Sequence, residues 1–221
     1  MARAAEVEAG GETRERILRA ALEDFSANGF DGARTREIAA RAGVPLGLLR
    51  YHFGDKAKLW RAAVDRAFAE LGSELDAILR AAPPADLRER LRRLVRGYVR
   101  FVGRNPEFVR LMHDEGKRRG PRMRWMADRH VKPVFATLAP LVEEAQAEGV
   151  LPAGIDPVHF FYVLAGAAGL IFHQAEECKR VSGIDPAEPS AVEAHARAVE
   201  HLFLGPAEAA SRLPTARERR A

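Results

Sequence analysis

Residues 43–53 read GVPLGLLRYHF, and no other stretch constrains the fold as tightly. Short helical segments at about 34–42 and 45–52 flank Gly43-Val44-Pro45, which leaves room only for a tight turn. Two helices joined by a short glycine-containing turn predict a helix-turn-helix. Gly43 suits the left-handed backbone that closes such a turn. Val44 is placed to fill the space between these helices and the one before them. Leu49 and Phe53 are four apart and predict the core side, while Leu46, Arg50 and Tyr51 are expected to point outward. Gly47 lowers helix propensity by about 1 kcal/mol relative to alanine, so close approach of another backbone is its expected use. The outward side chains match duplex DNA. Arginine pairs with guanine or phosphate, tyrosine and histidine donate to phosphate, and leucine touches a thymine methyl. Lys56 adds a cation at the start of the next helix, where free N–H groups already favour an anion.

The remainder contains no convincing period-2 run, and the chain is predicted to be all-α. Thr13 is a candidate cap for a first helix carrying Ile17, Ala21 and Phe25, with Asn28-Gly29 as its stop. Asp55 is a candidate cap for a long helix to about Arg80, and Pro83-Pro84 closes that unit. Further helices are expected after residue 87 and at Asn105-Pro106. Pro133 and Pro140 predict a kink or break in the helix that holds them. Asp156-Pro157 opens an apolar helix to about 181, and Ser190 with Glu193 forms a capping box for the last helix. The organisation that follows is a flexible arm at 1–12, a helix-turn-helix unit at 13–60, a helical domain at 61–205 and a disordered tail at 206–221.

The text RILRAALEDFSANGFDGARTREIAARAGVPLGLLRYHFGDKAKLWRAAV carries a specific resemblance. Gly29-Phe30, Ile38-Ala39, Ala42-Gly43-Val44, Gly47, Leu49, His52-Phe53 and Lys56 fall at the spacing of the DNA-binding domain of the TetR family of bacterial transcriptional regulators. The resemblance spans residues 13 to about 68. It implies DNA contacts from Arg34, Thr35, Arg36, Pro45, Leu46, Leu48, Arg50, Tyr51, His52 and Lys56. Three positions depart from the family pattern. Ala33 stands where threonine is frequent, Pro45 where serine is common, and Arg50 where tyrosine is usual, with Tyr51 displaced by one. The resemblance also implies a second helical domain that dimerises through its last two long helices and holds a small-molecule pocket. Gly166, Ala167, Ala168 and Gly169 permit close helix contact there, either within the chain or between two copies. The implied partners are a palindromic double-stranded operator, a second copy of the chain and an unidentified small-molecule effector, which together describe a ligand-responsive repressor. The competing reading is a helical lipid- or ligand-binding protein of the same fold that has lost DNA binding.

Phe101, Phe108, Met112, Met123, Trp125, Met126, Phe161 and Tyr162 are candidates to line an apolar pocket, and core packing explains the same pattern. Residues 104–132 hold nine Lys/Arg against four Asp/Glu, a group that reads as a solvated face or as an attractor for an anion. His113, Asp114 and Glu115 are consecutive and diverge around a helix, so no metal site is expected. No catalytic or cofactor motif occurs, and neither an enzyme nor a cofactor is expected. The net charge of +4 permits a nucleic-acid partner without requiring one. Cys178 is the only cysteine, which excludes an intramolecular disulfide and fits a cytoplasmic setting. Residues 158–172 are the most apolar stretch, yet too short to span a bilayer, and residues 1–16 carry no apolar run of the kind a leader needs.

Overall fold

A computed structural model describes residues 2–81 and 86–205 of the chain. Every regular element in them is helical: α1 (Ala2–Gly32), α2 (Thr35–Arg41), α3 (Leu46–Phe53), α4 (Lys56–Ala81), α5 (Leu87–Arg104), α6 (Pro106–Gly116), α7 (Pro121–Met126), α8 (Lys132–Ala147), α9 (Pro157–His173), α10 (Ala175–Ser182) and α11 (Pro189–Leu204). Pro83-Pro84 and the tail at 206–221 lie outside the described residues. No single helix among those described is long and apolar enough to cross a membrane.

The first unit is built on α1. Ile17, Leu18, Ala21 and Phe25 form its buried stripe, and Ile38, Leu49, Leu59 and Trp60 close over it from α2, α3 and α4. Gly29 breaks the helix with φ 66° and ψ 172°, where a stop was expected, and one further turn follows. The N-terminal side differs from expectation. The helix runs back to Ala2 through the region read as a flexible arm, and Thr13 lies inside it rather than at its cap. Alanines and glutamates dominate residues 2–9 and sustain helix across Gly10-Gly11. Asp55 does cap α4, accepting from the Lys58 N–H at 2.8 Å.

In the second unit α5 is flanked by α4, α9 and α11. Buried Glu200 of α11 bonds to Arg92 Nε at 2.8 Å and to Arg96, and Arg100 grips Glu193 at 2.6 and 2.7 Å. That grip replaces the expected capping box. Glu193 is drawn to α5, and α11 starts at Pro189 with no side-chain cap. The expected break at Pro133 is instead a π-helical turn, Ala127–Val131, that joins α7 to α8. The Lys132 N–H reaches back to the Ala127 carbonyl, and this wider turn accommodates a proline ring that would crowd a tighter one. Pro140 lies inside α8, which continues through it. The apolar helix expected to reach residue 181 divides at Gln174 (φ −104°, ψ 38°), and α10 leaves α9 at 73°.

Leu59 is fully buried where α4 meets the first unit. Leu59→Ala is expected to destabilise the chain by about 2–5 kcal/mol. Equilibrium urea unfolding reads this as a lower midpoint with the m-value unchanged.

Candidate DNA-reading face and effector cavity

The reading face starts from the turn. Gly43 has φ +64°, and its neighbourhood is held by Arg16 of α1, whose Nη2 donates to the Ala42 carbonyl at 2.8 Å and to the Gly43 carbonyl at 3.2 Å. Asp24, fully buried on α1, fixes the other end. Its carboxylate accepts from the Arg34 N–H at 3.3 Å and lies 3.6 Å from the Arg41 guanidinium. Neither α2, which starts after Arg34, nor α3, which starts after Pro45, has a side-chain cap. The Asp24 carboxylate supplies one missing acceptor from a distance.

On α3, Leu49 and Phe53 are buried as expected. Gly47, Arg50 and Tyr51 occupy the opposite side at i, i+3 and i+4, all exposed, and Tyr51 is 83% accessible. Arg34 and Arg36 are also exposed, with Arg34 paired to Glu37 at 3.5 Å. Pro45 is exposed at the start of α3, and Leu48, His52 and Thr35 are half-buried at the edges. Two expected contacts are placed differently. Leu46, read as outward, packs against the core, because it shares the Leu49–Phe53 side of a short helix. Lys56 is engaged by its own chain: its ammonium lies 3.2 Å from the Asp31 carbonyl and 4.9 Å from the Phe30 ring centre. Gly47 has no atom of the chain within 4 Å of where a Cβ would stand. The close backbone approach expected at Gly47 is not made within the chain, and the position faces open space.

A cavity of about 700 Å³ opens between α4, α5, α6, α8 and α9. Of the eight expected pocket residues, Phe108, Met112, Met123, Met126, Phe161 and Tyr162 line it. Phe101 and Trp125 do not. Phe101 is buried behind Phe108, edge to face at 5.3 Å. Trp125 turns toward α4 and packs on Trp60 at 5.5 Å, with the Arg61 guanidinium over its ring. Leu71, Leu75, Leu91, Leu94, Val134 and Leu138 complete the lining, and their helical spacing is that of any core. Polar groups are few: Asp76, Arg90, Tyr98, His113 and Thr137. Burial pushes the Tyr98 phenol up to about 12. His113, stacked on His173 at 4.6 Å, is held below the usual histidine value by burial and then by that second ring.

The small-residue run on α9 faces two ways. Ala168 and Gly169 point into the chain, and a Cβ on Gly169 would stand 3.1 Å from Val109 of α6. Gly169, expected at a dimer interface, instead serves this internal contact. Gly166 and Ala167 are half-buried, and the Ala167 carbonyl meets His195 Nε2 of α11 at 2.9 Å.

Comparison with known proteins decides the class. Residues 17–63 match the model for bacterial regulatory proteins of the tetR family, and residues 88–202 match that for the tetracyclin repressor-like C-terminal domain. The chain belongs to the TetR family. It is a DNA-binding transcriptional regulator with an N-terminal helix-turn-helix and a helical C-terminal domain. The HTH-type transcriptional repressor NicS of Pseudomonas putida is 30% identical over 155 residues, 69% of this chain and 72% of NicS. Two solved structures share the fold. The fatty acid degradation regulator FadR from Bacillus halodurans superposes with a TM-score of 0.67 at 18% identity, covering 86% of this chain and 97% of that one. AibR in complex with isovaleryl coenzyme A and operator DNA gives 0.67 at 20%, covering 86% and 99%.

The raised Tyr98 phenol carries a pH dependence. In the folded chain it stays protonated up to about pH 12, while an unfolded tyrosine ionises near pH 10. Its contribution is therefore complete below about pH 10 and is lost as pH rises through about 12. Tyr98→Phe is expected to flatten that alkaline loss of stability, read as melting temperature against pH between about 9 and 12.

Proposed function

We propose that two copies of this TetR-family regulator bind a palindromic operator, each laying α3 in a major groove, and that an effector in the α4–α9 cavity releases them. The observation that carries the reading is the exposed Gly47, Arg50 and Tyr51 side of a helix whose other side is fully committed to the core. Glycine lets the helix backbone approach the duplex, Arg50 reaches a base edge or phosphate, and Tyr51 donates to a phosphate. Arg34 and Arg36 at the start of α2 extend the phosphate track. This arrangement favours DNA reading over a carrier that has lost it. Repression is the favoured sign, in keeping with the repressor NicS.

The dimer reading rests on large apolar side chains that the chain leaves exposed. Tyr162, Val163 and Leu170 on α9 and Leu202 on α11 are exposed, with Tyr162 at 65% and Leu202 at 78%. Gly166 and Ala167 lie among them on α9. A self-complementary patch of this kind fits a two-fold pair, which places two reading helices about one or more turns of the duplex apart. AibR was solved with both isovaleryl coenzyme A and operator DNA, and the apolar lining here suits the acyl part of an effector of that kind. Coupling would run along α4, which contributes Leu71 and Leu75 to the cavity and Leu59 and Trp60 to the first unit.

The test starts from a random-sequence pool of duplexes, from which the protein is expected to select a palindrome. Against that palindrome in fluorescence anisotropy, Arg50→Ala is expected to weaken binding about tenfold, the equivalent of one lost base or phosphate contact. Wild-type affinity in both Arg50→Ala and Tyr51→Ala would remove α3 from the interface. Leu202→Glu is expected to give monomers in analytical ultracentrifugation and to abolish tight binding while leaving the helical spectrum intact.

A further inference from the structure

The basic stretch of residues 104–132 gathers at one place. Arg118, Arg119 and Arg122 line a cleft of about 350 Å³ with Asp31, Glu115 and Met123. The cleft sits where the end of α1 meets the connection between α6 and α7. Three guanidinium groups face two carboxylates, and the carboxylates do not use all the cationic capacity. Arg122 Nε is 3.4 Å from buried Glu115, and Arg118 is 3.9 Å from Asp31. Arg119 makes no ion pair among the described residues. The Arg122 guanidinium also lies over Phe30, 4.1 Å from its ring centre. Arginines 118 and 122 thus tie the second unit to the first.

This cleft and the apolar cavity are neighbours. Met123 lines both, while Glu115 belongs to the cleft and the adjoining Gly116 to the cavity. The residue they share is a flexible thioether, a side chain that yields to irregular shapes. We infer that the effector is an amphipathic phosphate ester, with its apolar tail in the large cavity and its phosphate-bearing head among Arg118, Arg119 and Arg122. This rests on the reading of the large cavity as the effector site. Planar guanidinium forks match phosphate oxygens and form charge-assisted bonds. A phosphate placed there competes with Asp31 for Arg118 and draws Arg122 away from Phe30. The head group therefore loosens the joint between the two units while the tail occupies the cavity beside α4.

The test uses the full chain with octyl phosphate, octanol and inorganic phosphate as probes in isothermal titration calorimetry. Octyl phosphate is expected to bind at least tenfold more tightly than octanol, a difference of about 1.4 kcal/mol. The double variant Arg118→Gln/Arg119→Gln is expected to bring octyl phosphate down to the octanol level and to leave octanol unchanged. Octyl phosphate, and not octanol, is expected to release the selected operator duplex. Equal affinity for the two amphiphiles, or a preference that survives the double variant, would overturn the head-group assignment while leaving the effector cavity in place. Octyl phosphate binding no more tightly than inorganic phosphate, with octanol not bound at all, would overturn the cavity reading itself. Arg119→Gln alone, which leaves the Arg118–Asp31 pair in place, is expected to keep wild-type operator affinity in the absence of any amphiphile; a loss there would assign the arginine to the DNA interface and overturn the inference.

Discussion

A single helix has to serve two cores. The first half of α4 gives Leu59, Trp60, Ala63 and Val64 to the DNA-reading unit, and its second half gives Phe68, Leu71 and Leu75 to the wall of the cavity. Close-packed interiors do not deform smoothly, so a change at one end must be met by a shift of the whole rod or by a rearrangement at the other end. The aromatic contacts reinforce this link. Phe68 stacks on His130 at 4.5 Å, His130 meets Trp125 edge to face, and Trp125 leans on Trp60 in the first core. The π-helical turn is where His130 enters that chain, so the wider turn accommodates a proline and also supplies a ring to the joint between units.

Electrostatics divides the second unit into a closely paired seam and a loosely paired cleft. Between α5 and α11 the arginines are consumed by carboxylates, with Glu200 between Arg92 and Arg96 and Glu193 held by Arg100. That seam fixes α11 and, through it, the apolar patch that carries Leu202. Around residues 118–122 the pairing is longer and looser, at 3.4 to 3.9 Å, and leaves Arg119 over.

Much of this was legible in the sequence, for a physical reason. Ile17, Leu18, Phe25, Ile38, Leu49 and Trp60 recur at helical spacing in short elements with definite ends, so periodicity alone assigns them to a core. Gly43 declared its turn because few other residues hold a positive φ. What stayed hidden was long-range. Nothing in the local text says that Arg16 reaches residues 42 and 43, or that Asp24 supplies an acceptor to Arg34. Phe101 and Phe108 look alike in sequence, and only their depth separates a cavity wall from the layer behind it. Gln174 carries no proline or glycine signal, so the bend between α9 and α10 could not be anticipated. Leu46 misled because amphipathic assignment over eight residues has little margin.

The missing caps on α2 and α3 have a consequence for modularity. Helices of seven and eight residues are too short to persist alone, and here both ends of α2 are satisfied by side chains borrowed from α1. The reading element is therefore not portable. A graft of residues 34–53 onto another scaffold would carry the exposed Gly47, Arg50 and Tyr51 but leave behind Arg16 and Asp24, and with them the angle at which that side of α3 is presented. Specificity transplanted between members of this fold would have to travel as a three-helix block.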